Sequence, residues 1–185
     1  MSAYAEAVAY LQGLEVVRGW DLTLERMRAA LARDAKAAGA DGFLCVDLPP
    51  EESGDLRAAA AASDLDVIAL LAPTTPPARA RMIAGTAGGF LYFVSVLGVT
   101  GARDQLPVEL PALVARVRRV TRLPIGVGFG VQTPVQAGWV ASFADAVIVG
   151  SAIVRQIESA GPGDAPGRVG ELVAALRDGM RTANR

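Results

Sequence analysis

PIGVGFGVQTP, residues 124–134, and DAVIVGSAIV, residues 145–154, each pass from an apolar run through small residues into a segment of helical character. A short apolar run bounded by glycine reads as a strand, and a strand opening directly onto a helix is the repeating unit of parallel α/β proteins. The same alternation extends backwards through the chain. GFLCVDL (residues 42–48) leads to a helix from about residue 51, DVIALLAP (66–73) to a helix over 76–84, and GFLYFVSV (89–96) to a helix over 107–120. With helices over 133–143 and 151–158 after the two quoted stretches, five strand–helix units result. Their strands are nearly continuous in Val, Ile, Leu and Phe, as parallel strands covered on both faces are.

The flanks differ. Residues 2–17 and 22–38 read as two helices, the second capped by Asp21 and ended by Gly39, with no convincing strand in either. GPGDAPG (161–167) is a loop and residues 168–180 a closing helix. The expected organisation is a single domain over 1–185: a helical segment over 1–39, five βα units over 40–160, and a loop with a closing helix over 161–185. Its fold class is α/β, an incomplete TIM-type (β/α) barrel of about five parallel units preceded by two helices. Five strands in isolation leave two open edges, which predicts self-association through them or cover of one edge by the opening helices.

Composition narrows the function. Hydrophobic residues make up 52% of the 185, charged residues 20%, and the net charge is −1, which favours a globular protein and disfavours a nucleic-acid surface. No apolar stretch reaches the ~18 residues of a membrane span and no signal core opens the chain, so cytoplasmic location without membrane contact is expected. The single cysteine, Cys45, lies within an apolar run and reads as a buried, inert thiol. Histidine is absent and Lys36 is the one lysine. Acid/base chemistry therefore falls to carboxylates or tyrosines, a histidine triad is excluded, and a zinc-type metal site is disfavoured.

The two bare turns carry the chemistry. In parallel α/β folds ligands lie at the carboxyl ends of strands, where the next helix offers unpaired N–H groups. A phosphate suits that place: its oxygens accept those hydrogen bonds, its charge is favoured at the helix N-terminus, and glycine lets the backbone approach. One turn supplies Gly128, Gly130 and the Val131 amide, followed by Thr133 as N-cap; the next supplies Gly150 and Ser151, the serine able to cap its helix and offer a hydroxyl. The competing reading makes these glycines plain turn formers. Their pairing after the last two strands matches the phosphate site of many (β/α)8 barrels.

At this point the residues resemble the alpha subunit of tryptophan synthase. ADGFLCVDLPPEES (40–53), APTTPP (72–77), GFLYFVSVLGVTGAR (89–103) and the pair GVGFGVQTP with ADAVIVGSAIV carry the resemblance, which runs from about Asp34 to the C-terminus. It implies a (β/α)8 barrel that cleaves indole-3-glycerol phosphate to indole and glyceraldehyde 3-phosphate in tryptophan biosynthesis, as a lyase without a cofactor of its own. Indole then passes to a beta subunit that uses pyridoxal phosphate. On this resemblance Gly101, Gly128, Gly130, Val131, Gly150 and Ser151 surround the phosphate of the substrate and Tyr92 lines the pocket. GVTGAR is the closing loop, with Thr100 reaching a catalytic aspartate, and Asp47 with the PPEE after it lies near the beta subunit.

The departure is equally specific. The family places a catalytic glutamate in a stretch resembling ELGVPFSDPLADGP and an aspartate in the following loop, and neither motif occurs here. By this alignment the first three strands are missing as well, so the sequence reads as truncated and its catalytic residues stay unassigned. Cleavage needs a proton on the indole ring carbon and another removed from the ring nitrogen or side-chain hydroxyl. Glu6 and Glu15, in the first helix, read as solvated residues. Three readings remain open: an enzyme acting through other carboxylates or a complementing chain, a catalytically silent phosphate-binding or regulatory remnant, and a truncated product without a stable role. Another phosphosugar barrel is disfavoured by VDLPPEE and SVLGVTGAR. A dinucleotide fold is disfavoured by the late position of the glycine turns.

Overall fold

The computed structural model describes residues 20–95, 106–161 and 163–183. Helices and strands alternate along it: α1 (Trp20–Ala37), β1 (Gly42–Leu44), α2 (Gly54–Ala62), β2 (Asp66–Leu71), α3 (Pro77–Ala84), β3 (Leu91–Val94), α4 (Leu110–Arg118), β4 (Ile125–Gly128), α5 (Pro134–Ala141), β5 (Ala146–Ile148), α6 (Ser151–Ser159) and α7 (Ala165–Ala183). The expected helix over 2–17, with Glu6 and Glu15, lies outside the described residues, as do Thr100 and Gly101.

The five strands form one sheet in the order β1-β2-β3-β4-β5, every neighbouring pair parallel. Sequential order follows from chain economy, since each helix carries the chain back over the sheet to start the next strand alongside the last. This is the expected five-unit incomplete barrel. Among the described residues β1 and β5 each pair with one strand only.

Alternation along the strands divides the sheet into two faces. Leu71, Leu91, Phe93, Ile125 and Val127 point to the helical layer and are essentially inaccessible, packed with Ile83 of α3, Leu110, Val114 and Val117 of α4, Val140 of α5 and Leu176 of α7. Burying each such side chain stabilises by about 1.5–3 kcal/mol. A second cluster, Ala32, Ala60 and Leu65 with Phe43 and Val67, holds α1 and α2 over β1 and β2. The opposite face carries Tyr92, Gly126, Gly128 and Ile148. An added Cβ on Gly126 would meet the Ile148 side chain at 2.9 Å and the Phe90 ring at 3.2 Å, so glycine makes room for larger neighbours there.

The amino ends of the strands are pinned electrostatically. Asp145 accepts from the Ile125 amide (2.7 Å) and from Arg118 (2.5 Å), tying the start of β4 to the chain entering β5. Burial alone would raise the pKa of Asp145, but these two bonds outweigh it and hold the carboxyl below its ordinary value. These contacts at the amino ends of the strands serve stability.

Several local expectations are corrected. Asp21 lies inside α1, which already includes Trp20, and is not its cap. Cys45 is exposed, because β1 ends at Leu44 and the chain leaves the sheet before the thiol can be covered. The helix expected from residue 51 starts at Gly54, since Ser53 Oγ donates back to the Pro50 carbonyl (2.8 Å) and keeps PPEES in a turn. The closing helix begins at Ala165 and takes in part of the expected loop, with Pro166 and Gly167 in its first turn, where proline is tolerated.

Candidate functional site

β4 ends at Gly128, and the chain turns through Phe129 (φ 73°) and Gly130 (φ 87°), two consecutive left-handed residues. Such a φ is uncommon for phenylalanine and free for glycine. The Phe129 ring packs edge-on against Tyr92, with centroids 6.1 Å apart. Gly128 is bare for a related reason: an added Cβ would run into the Tyr92 hydroxyl and ring. Its missing side chain therefore makes room for Tyr92, which lies across β4 at the strand end. Burial raises the Tyr92 pKa, so the phenol stays neutral near pH 7.

The amides beyond this turn divide into two groups. Thr133 caps α5, accepting from the Gln136 amide (3.2 Å), while Gln136 Oε1 accepts from the amides of Thr133 (3.2 Å) and Gln132 (2.8 Å). This capping box satisfies the helix start. The Gly130 and Val131 amides, immediately before it, donate to no acceptor among the described residues. Val131 buries its side chain in the core, which fixes the backbone on the outer side of the turn.

The second turn is built differently from expectation. Gly150 is the N-cap of α6 and Ser151 its first residue; no side chain caps this helix, so the Ser151 hydroxyl does not play the capping part expected of it. The Ile153 and Val154 amides both return to the Gly150 carbonyl (2.9 and 3.1 Å), leaving the Ser151 and Ala152 amides at an open helix N-terminus. A Cβ on Gly150 would meet nothing within 4 Å, and its φ is −116°, so neither crowding nor backbone demands glycine there.

β4 and β5 are direct neighbours, with Gly128 opposite Ile148, so the two turns leave the sheet side by side. Arg155 of α6 joins them, donating to Gln132 Oε1 (2.8 Å). Gly128, Gly130, Val131, Gly150, Ser151 and Tyr92 thus gather at adjacent strand ends, and together they offer main-chain donors, a neutral phenol and a nearby guanidinium to an anion. Asp47 is exposed beyond β1, at the far edge of the sheet, and is not brought to these turns. Near it Glu51 pairs with Arg79 at the start of α3 (2.5 Å), which holds the Glu51 carboxyl below its ordinary pKa. A cavity of about 30 Å³ between α3 and α4, lined by Leu71, Phe93, Leu113 and Val117, opens on the helical side of the sheet instead.

Sequence reading missed Phe129, Arg155 and Ser95. Arg155 follows Ser151 by four residues, one helical turn, a spacing that signals a shared face. Among the described residues no three carboxylates or thiols are grouped to hold a metal ion, and no helix is long and apolar enough to cross a membrane.

Comparison with known proteins gives one answer. The family model for the tryptophan synthase alpha chain matches residues 16–180. The tryptophan synthase alpha chain of Thiobacillus denitrificans is 47% identical over 171 residues, covering 92% of this chain and 63% of that protein. The corresponding chain of Chloroflexus aurantiacus is 50% identical over 155 residues, 84% of this chain and 56% of its own. Among solved structures, Mycobacterium tuberculosis tryptophan synthase superposes with a TM-score of 0.74 at 40% identity, over 83% of this chain and 56% of that one. The tryptophan synthase α2β2 complex of the hyperthermophile Pyrococcus furiosus gives 0.73 at 31% identity, over 86% and 64%. This chain spans 56 to 63% of the length of the two curated relatives.

Proposed function

The chain belongs to the tryptophan synthase alpha chain family, and on that premise we propose that its β4–α5 and β5–α6 turns bind the phosphate of a phosphorylated substrate, indole-3-glycerol phosphate. One observation carries this reading: two neighbouring turns, joined by Arg155 and Gln132, present the amides of Gly130 and Val131 and the open N-terminus of α6 side by side. A dianion gains charge-assisted hydrogen bonds from such donors and is favoured by the helix dipole. Gly130, Val131, Gly150 and Ser151 hold the phosphate directly; Gly101, named by the family resemblance as a further contact, lies outside the described residues. Gly128 acts by admitting Tyr92, whose ring and phenol line the pocket beside the phosphate. Asp47 belongs to the surface facing a beta subunit, and Thr100 lies outside the described residues. The cytoplasm is the matching compartment.

The acid and base steps of indole-3-glycerol phosphate cleavage are assigned to no described residue. The chain supplies the phosphate-binding part of the site, and a beta subunit or another chain pairing with the β1 and β5 edges is the partner of this reading. Glycerol 3-phosphate titrated calorimetrically into the protein is expected to bind saturably at one site. Mixed with indole-3-glycerol phosphate, in parallel assays with and without a beta subunit, the protein is expected to release little indole where no complementing chain is present. No binding of glycerol 3-phosphate would reject the phosphate assignment. Turnover of order 1 per second would show that acid/base groups are present in this chain.

A further inference from the structure

Ser95, just past β3, is 1% exposed and is one of two buried polar side chains among the described residues. Its hydroxyl reaches the Gly128 carbonyl (2.7 Å) and the Phe129 carbonyl, and its amide also donates to the Gly128 carbonyl (2.9 Å). A hydroxyl carries one proton, so the two carbonyls share it in a three-centre bond.

The orientation of these carbonyls is unusual. Successive carbonyls alternate in direction along an extended strand, so if Gly128 turns its oxygen toward β3, Phe129 should turn its own toward β5. Here both face Ser95, because Phe129 has left the extended region for φ 73°. A trans peptide sets N–H opposite C=O. Holding the Phe129 carbonyl toward β3 therefore sends the Gly130 N–H away from β3, toward β5 and the open end of α6. Gly130, free in φ, would accept the flipped peptide as well, and in that flip the Gly130 N–H would face β3.

We infer that Ser95 is the positioning residue of the anion site: its hydroxyl holds the Phe129–Gly130 peptide in the reversed orientation that aims the Gly130 amide at the ligand. This rests on the phosphate reading above and adds a residue that touches no ligand. Ser95 acts through backbone direction, so its removal changes affinity by misdirecting a donor that is still present.

The test uses the full chain. Glycerol 3-phosphate is titrated into wild type, Ser95→Ala and Ser95→Thr by calorimetry, melting temperatures are measured, and the Gly130 amide is followed by 15N NMR. Ser95→Ala is expected to bind at least tenfold more weakly and to lose the Gly130 amide response at saturating ligand. Ser95→Thr, which keeps the hydroxyl, is expected to recover affinity to within about threefold of wild type, tenfold being 1.4 kcal/mol. If the alanine variant does not fold, Ser95→Cys, similar in size with a weaker donor, takes its place and is expected to bind with intermediate affinity. Wild-type affinity in Ser95→Ala, or in Ser95→Cys where that replaces it, overturns the inference. Weaker binding with an intact Gly130 response also overturns it, by reducing Ser95 to a structural role. A wild-type protein that binds no glycerol 3-phosphate rejects the phosphate reading itself, and the inference with it.

Discussion

Gly179→Leu is expected to lower the melting temperature by about 6–12 °C. Gly179 lies on α7 where that helix crosses the first residue of α5, and an added Cβ would collide with the Pro134 carbonyl oxygen, with the carbonyl carbon at 2.7 Å and Cα at 3.0 Å. These are backbone atoms and cannot swing aside as a side chain could. The helices must separate, loosening Leu176 from Ala137 and Val140 in the core. Overpacking of this kind costs about 3 kcal/mol, and in a chain of this size each kcal/mol moves the midpoint by about 2–4 °C. Thermal unfolding followed by circular dichroism reads the result. A shift below about 2 °C would show that α7 is not held against α5 as described. The same contact has a functional side, because α5 begins three residues after Val131 and its displacement moves the turn that presents the free amides.

The second large effect belongs to Gly130. With φ 87°, any L residue there is strained, and a β-branched one most of all. Gly130→Val is expected to carry about 1–3 kcal/mol of backbone strain or to escape it by re-forming the turn; either outcome redirects the Gly130 and Val131 amides. Glycerol 3-phosphate affinity should fall at least tenfold. Gly130→Asn, whose short polar side chain tolerates the left-handed region, should lose less. If Gly130→Val binds as tightly as wild type, the glycine is a plain turn former and the donor role lies elsewhere.

Much of this architecture was legible from local pattern because parallel strands covered on both sides leave a strong apolar signature. LYFV at 91–94 and IGVG at 125–128 fall inside the runs expected to be strands, and Thr133 caps its helix as its position suggested. Legibility failed where the answer depended on atoms distant in sequence or on the last residue of an element. Cys45 sits in an apolar run, yet β1 ends one residue before it, so the pattern implied cover that the fold does not supply. Ser151 has the chemistry of an N-cap, but the helix starts at it, so Gly150 takes the position and leaves the amides open. Gly128 suggests a bare approach for a ligand, whereas the space is filled by Tyr92, 36 positions earlier in the chain. Ser95 was invisible for the same reason: its partners lie 33 and 34 residues away, and nothing around VSV announces them.

The two-turn cradle is tested most directly by titrating glycerol 3-phosphate into 15N-labelled protein and following each backbone amide. The amides of Gly130, Val131, Ser151 and Ala152 are predicted to move downfield together along a single saturation curve, while those of Gln132 and Thr133, already bound to Gln136, stay nearly still. Saturable binding that leaves those four amides unmoved, or that moves only side-chain signals, would contradict the account.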